Sequence, residues 1–284
     1  MKTYTFKLES NQVLNILDLY KNYSINKNIQ HALKSFFHNG NLIVVYKSNT
    51  VLIQGENVVN EVDAIKEFLG MTEYSSIGSD EVGTGDFFGP ICVCSCYVDV
   101  SDLDWLNKLQ IKDSKKISDA IIIKVAPILA KRLTYSLQIL EPTRYNNAIR
   151  SGYNMNRIKA VLHNKAILTL INKINIPNTS VILDQFCLPN KYFEYLNQEK
   201  TVFHNINFQT KAENYHISVA CASIIARYSF LQKLDQYSKD IGFSLQKGAG
   251  PAVDGQIAYI LKQIGVDQLS SLGKLNFKNY TKQK

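Results

Sequence analysis

Two adjacent carboxylates, Asp80 and Glu81, precede a glycine-rich loop, and a third, Asp184, closes the short apolar segment SVILD. The first pair lies in SIGSDEVGTGDFFGP, residues 76–90, which carries three acidic residues, four glycines and a proline ahead of the apolar run ICVCSCYV. A single Asp beside an apolar run serves as a cap or turn former. Three carboxylates brought together repel one another and shift upward in pKa. A divalent cation removes that cost, and hard oxygen donors suit magnesium or manganese. Two such ions, roughly 3.5–4 Å apart, activate water and stabilise the leaving oxygen in phosphodiester cleavage. The pattern alone leaves two readings open: acids that solvate a tight hairpin, or carboxylates that hold metal where bare backbone meets a substrate.

The flanking segments decide what could bring these acids together. From residue 76 onward, strand-like and helix-like stretches alternate. PICVCSCYV, LTYSLQILEP and SVILDQF read as strands, and NMNRIKAVLHNKAILTLINKI reads as a long helix opened near Asn154 or Asn156. TKAENYHISVACASIIARYSFLQKLDQYSKDI reads as a second long helix beginning at Thr210. This order implies an α/β domain over residues 75–284, a mixed sheet with helices on its faces. Polar residues at strand ends line the working site in such sheets. Residues 1–70 form a separate, smaller zone: a helix in VLNILDLYKNY, a hairpin in NLIVVYKSNTVLIQG turning at Ser48–Asn49, and a helix in NEVDAIKEFLG ended by Gly70.

Composition bounds the partners. The chain of 284 residues is 45% hydrophobic and 20% charged, which is enough to build a packed core. Its formal net charge is +8. Residues 1–70 are nearly neutral, so the positive charge belongs to the larger zone and points to a polyanionic partner. No apolar run reaches the length of a membrane span. The opening MKTYTFKLESNQ lacks a signal-peptide core, so a cytoplasmic protein is expected. Cys92, Cys94 and Cys96 alternate along one strand and share a face. They lack the spacing and second cluster of a zinc site, and read as buried reduced thiols.

GSDEVGTGDFFGP closely resembles the signature of ribonuclease HIII, a bacterial type 2 ribonuclease H. KDSKK (residues 112–116), YNMNRIKAVLHNKA, ILDQF and TKAENYHISVACASIIARY follow in that family's order. The resemblance implies a ribonuclease H-like catalytic domain and a small N-terminal α+β domain, resembling the TATA-binding-protein fold, that grips substrate. It implies an endonuclease that cuts the RNA strand of an RNA–DNA hybrid with two Mg2+ or Mn2+ ions, leaving 3′-hydroxyl and 5′-phosphate ends. Carried onto this chain, the metal ligands are Asp80, Glu81 and Asp184, and a fourth acid falls on Glu213. The turn Gly83–Thr84–Gly85 distinguishes this branch from ribonuclease HII relatives, which carry arginine at the middle position. Its glycines would let main-chain groups reach the 2′-hydroxyl that tells RNA from DNA.

Several assignments stay open in the sequence. Thr210–Lys211–Ala212–Glu213 is also a capping box, in which Glu213 would bond back to the cap backbone. Lys115 and Lys116 suit phosphate contact or a solvated loop. Asp86 reads as a loop residue, and His163 as a satisfied, partly buried histidine. His216 follows a helix start. Lys247–Gly250 reads as a backbone-hugging loop or a helix connection. Lys274, Lys278, Lys282 and Lys284 read as a basic tail that adds sequence-blind affinity or is simply solvated. Two other functions compete: a binding module that has lost catalysis, and ribonuclease HII-like cleavage at single embedded ribonucleotides. Nothing in the sequence requires more than a monomer.

Overall fold

The computed structural model describes residues 2–71, 74–109, 111, 117–174 and 179–283. The chain divides into two compact units, Met1–Ser75 with Asp99–Lys108, and Ser76–Val98 with Leu109–Lys284.

The first unit contains β1 (Lys2–Lys7), α1 (Ser10–Leu19), β2 (Ala32–His38), β3 (Asn41–Tyr46), β4 (Thr50–Gly55) and α2 (Val58–Phe68). Its sheet is antiparallel in the order β1-β4-β3-β2. The β3–β4 turn follows the expected chemistry, with Asn49 at φ +61, and α2 stops just before Gly70 at φ +66. Ile43, Val45, Val51 and Ile53 alternate onto one buried face, and the helices bury Val13, Ile16, Val62 and Ile65. Residues 99–108, including α3 (Leu103–Lys108), join this unit although they follow the first strands of the second. Ser75 Oγ accepts from the Val100 amide at 2.8 Å, and the Asp63 carboxylate accepts from the Ser75 amide at 2.7 Å.

The second unit contains β5 (Ser76–Val82), β6 (Ile91–Val98), α4 (Asp119–Arg132), β7 (Thr134–Leu140), α5 (Pro142–Arg150), α6 (Met155–Ile174), β8 (Ser180–Asp184), α7 (Pro189–Tyr195), β9 (Ile206–Gln209), α8 (Ile217–Ile241), α9 (Pro251–Gln263), α10 (Val266–Leu272) and α11 (Lys278–Thr281). The sheet runs β7-β6-β5-β8-β9. β6 is antiparallel to β5 and β7, while β8 is parallel to β5 and β9. It is the mixed sheet flanked by helices that the alternation implied.

The two long helices cover opposite faces of this sheet, and the period of two in β5 shows how. Ser76, Gly78 and Asp80 face α8. Ser76 Oγ lies 2.8 Å from Ser218 Oγ. A Cβ on Gly78 would stand 2.1 Å from the Val219 amide nitrogen, so any larger residue would push the helix off the strand. Ile77, Ser79 and Glu81 face α6, where Ile77 packs with Ala160, Ile167 and Leu170. β6 is buried along its whole length. Cys92, Cys94 and Cys96 share its α8 face as free thiols.

One element differs from its expectation. The helix predicted from Thr210 begins at Ile217, with His216 at its N-cap. Lys211 sits in the left-handed region at φ +56, and residues 212–214 form a single 3₁₀ turn. The chain reverses there, so Glu213 is not the third residue of the long helix and the capping box does not form on it. In α6, by contrast, Asn154 caps as expected, its side chain accepting from the Arg157 amide at 2.8 Å.

Candidate active site

Asp184 ends β8, and Asp80 lies two residues before the end of the neighbouring parallel strand β5. The register pairs Ser79 with Leu183, so the next residues, Asp80 and Asp184, follow side by side on the α8 face, toward the carboxyl ends of β5 and β8. That is where open α/β sheets leave a crevice. Asp80 is buried. Its Oδ1 accepts from the Glu81 amide at 2.7 Å, and Ser223 of α8 hydrogen-bonds its carboxyl. Burial, and then the charges of Glu81 and Asp184, push the Asp80 carboxyl up to about 8. Asp184 Oδ1 accepts from the Ala212 amide at 3.0 Å. The left-handed Lys211 thereby brings residues 212–214 against the end of β8.

Glu81 takes the other face. Its Oε1 accepts from Lys159 Nζ at 2.9 Å, and its Oε2 lies 2.8 Å from His163 Nε2. Burial opposes its charge, but the hydrogen bond and charge of His163, together with Lys159, outweigh burial and hold the carboxyl below its usual range. His163 is fully buried, and its Nδ1 lies 2.8 Å from Ser79 Oγ. Phe186 roofs the pair: Lys159 Nζ stands 3.9 Å from its ring centroid, and the His163 ring stacks on it at 5.4 Å. Lys159 and His163 lie four residues apart and therefore share one face of α6.

Among the described residues, no three His, Cys, Asp or Glu side chains stand together as a ready-made metal cage. Lys159 and His163 hold Glu81 on the α6 face, close enough for its charge to act on Asp80. Asp80 and Asp184 nevertheless fit a hard divalent cation. Both are oxygen donors, and the burial and neighbouring charges that raise the Asp80 pKa are what a cation would offset. Glu213 is buried at 1% exposure, directly after the Ala212 amide that meets Asp184.

The loop after β5 has two kinds of glycine. Gly83 has φ +95, and a Cβ there would meet the Pro90 carbonyl oxygen at 2.1 Å, so the fold itself requires glycine. Gly85 is exposed, has no left-handed φ, and has nothing within 4 Å of an added Cβ. Thr84 between them is half-buried. Asp86 is tied in: its Oδ1 accepts from the Gly248 amide at 2.6 Å, and the Phe87 amide donates to the Gly248 carbonyl at 2.9 Å. Lys247–Gly250 thus hugs the loop backbone. Lys115 and Lys116 lie outside the described residues.

Lys274 overturns its reading as part of a solvated tail. It is fully buried, and its Nζ donates to the carbonyls of Asp86 at 2.8 Å and Gly89 at 2.6 Å. Burial pushes this ammonium down to about 7, against the pull of Asp86. An unfolded lysine keeps its proton to 10.5. Between about pH 7 and pH 10 the unfolded state therefore binds more protons, and this group makes stability rise with pH. Denaturant unfolding of the parent at pH 7 and pH 9.5 should show a gain that Lys274→Met lacks. Equal pH dependence in the two proteins would refute the assignment.

Lys159 and Ser223 were not singled out from sequence. The available signal for Lys159 is its four-residue spacing from His163 on the same helix, α6.

Compared with known proteins, residues 77–280 match the family model described as Ribonuclease HII. The chain is 46% identical to the ribonuclease HIII of Phytoplasma mali over 100% of this chain and 99% of the relative. It is 40% identical to the ribonuclease HIII of Bacillus velezensis over 86% of this chain and 85% of that one. Among solved structures it resembles Bst-RNase HIII in complex with Mn2+, with a TM-score of 0.72, 32% identity, and coverage of 99% and 97%.

Proposed function

This chain belongs to the ribonuclease HIII family, and on that premise we propose that it hydrolyses the RNA strand of RNA–DNA hybrids, leaving 3′-hydroxyl and 5′-phosphate ends. The observation that carries the site assignment is the pair Asp80 and Asp184, side by side toward the carboxyl ends of adjacent parallel strands, with the exposed Gly85 in the loop that follows β5. Asp80, Asp184 and Glu81 are the residues that would hold Mg2+ or Mn2+, with Glu213 as a fourth acid. When bound, two such ions supply an activated water and charge stabilisation at the leaving oxygen. The chain's own residues do the rest. Lys159 and His163 keep Glu81 ionised and fixed beside the Asp80 strand position. Ser223 and the Glu81 amide orient Asp80. Gly83–Thr84–Gly85 presents backbone to the ribose, and Lys115 and Lys116 contact phosphate.

No described helix is long and apolar enough to cross a membrane. A cytoplasmic, monomeric enzyme completes the reading. Cleavage assays on a labelled RNA–DNA hybrid and on a duplex with one embedded ribonucleotide, each with and without Mg2+, test it. Metal-dependent cutting of the hybrid is expected. Preference for the single ribonucleotide would instead support a ribonuclease HII-like activity, and binding without cleavage would leave only a binding module.

The first unit offers the grip. Its α2 packs on the β1 and β4 side that carries Tyr4 and Phe6, with Lys66 over both rings. The opposite face presents Thr3, Gln54, Leu42 and Phe37 in one cross-strand row. Phe37 is 54% exposed. Truncating an aromatic anchor at an interface costs about 1 kcal/mol or more. Phe37→Ala should therefore raise KM about fivefold or more with kcat unchanged. An unchanged KM would remove this face from substrate binding. Point substitution is the sounder test here, because deleting residues 1–70 would strip cover from Leu103 and Leu106, which are buried in the same unit.

A further inference from the structure

We infer that Lys274 is a positioning residue for ribose recognition: from the C-terminal segment it fixes the backbone of residues 86–89, and through it the Gly83–Thr84–Gly85 turn, in the form that meets a 2′-hydroxyl. The inference rests on the proposed role of that turn. A glycine turn has little side-chain packing to set its shape, so its shape must come from bonds made to its flanks. Here those bonds come from segments far away in sequence. The Lys274 amide donates to the Phe87 carbonyl at 3.0 Å, and the Gly89 amide donates to the Leu272 carbonyl at 2.9 Å. Phe88 and Gly273 form an antiparallel bridge. Lys274 Nζ then holds two further carbonyls, those of Asp86 and Gly89.

The clasp is itself anchored. Asn146 Nδ2 donates to the carbonyls of Ser270 at 3.0 Å and Gly273 at 2.9 Å, and its Oδ1 accepts from the Leu275 amide at 2.9 Å. A fully buried lysine is rare, because its charge loses water on entering the interior. An apolar side chain would fill the same volume. What lysine adds is N–H donors for two inward-facing carbonyls, and these two lie on either side of Phe87 and Phe88, immediately after the exposed Gly85. The inward face of the loop is therefore held by Lys274 while its outward face stays bare.

Competition binding in EDTA, where strands stay intact, tests this with an RNA–DNA hybrid and a DNA duplex of the same sequence. Lys274→Met should lower the preference for hybrid over DNA about tenfold, the size expected when buried carbonyls lose their donors and the turn loosens. Affinity for the DNA duplex should stay within about twofold. Lys274→Gln keeps an NH2 donor group on a shorter stem, should lose less, and decides the matter if Lys274→Met does not fold. A purely structural lysine would lower the melting temperature without moving the ratio, so a parental ratio in the folded variants overturns the inference. Gly85→Ala is the reference arm. If it lowers the ratio and the Lys274 variants do not, only the role of Lys274 falls. If it too leaves the ratio unchanged, the reading of the turn falls and the inference with it.

Discussion

Asp80→Asn is expected to abolish cleavage of an RNA–DNA hybrid while leaving hybrid affinity within about twofold. The amide keeps the shape and the contacts to Ser223 and the Glu81 backbone, but removes the charge that recruits a divalent cation. Metal ions contribute several kcal/mol of charge stabilisation. At about 1.4 kcal/mol per factor of ten, the loss should be about a thousandfold or more. Asp184→Asn should behave alike, because its carboxylate shares the strand-end crevice. Binding should persist, since the basic surface and the first unit are untouched. Either variant cleaving within tenfold of the parent at saturating Mg2+ would show that these carboxylates are not the metal ligands.

Gly85→Ala should lower kcat/KM on the hybrid by tens- to about a hundredfold with an unchanged melting temperature. A glycine turn can require a left-handed backbone, which any side chain strains. The structure places that strain at Gly83, where a methyl would strike the Pro90 carbonyl, and leaves open space around Gly85. An added methyl at Gly85 therefore costs the fold little and meets only what approaches from outside. A displaced hydrogen bond to a substrate hydroxyl costs about 0.5–1.5 kcal/mol, and a group left without its partner about 1–3 kcal/mol. Near-normal cleavage by a stable Gly85→Ala protein would reduce the turn to a connector.

The alternation of strands and helices and several turns and caps were legible because each is written locally. Asp80, Glu81 and Asp184 sit at the ends of apolar runs, and Gly70, Asn49 and Asn154 carry turn and cap chemistry in their own side chains or backbone. What escaped was written in pairings of distant residues. Lys274 looks like a member of a basic tail until residues 272–274 are seen bridging to 87–89. The start of α8 was misplaced because Thr210–Glu213 satisfies a capping pattern, while the contact that decides the matter, Ala212 to Asp184, spans 28 residues. Residues 99–108 continue β6 in sequence yet belong to the first unit. His163 is satisfied, as its helix position implies, but fully rather than partly buried, and its partners Ser79 and Glu81 make it part of the site's support.

The central claim is that Asp80 and its neighbours form a cation site. Titration of Mn2+ into metal-free protein at pH 8, with free Mn2+ followed by electron paramagnetic resonance, tests it most directly. The parent should take up Mn2+ at concentrations where Asp80→Asn leaves it free, with the variant matching the parent in melting temperature and hybrid affinity. Equal Mn2+ uptake by the two proteins would contradict the claim.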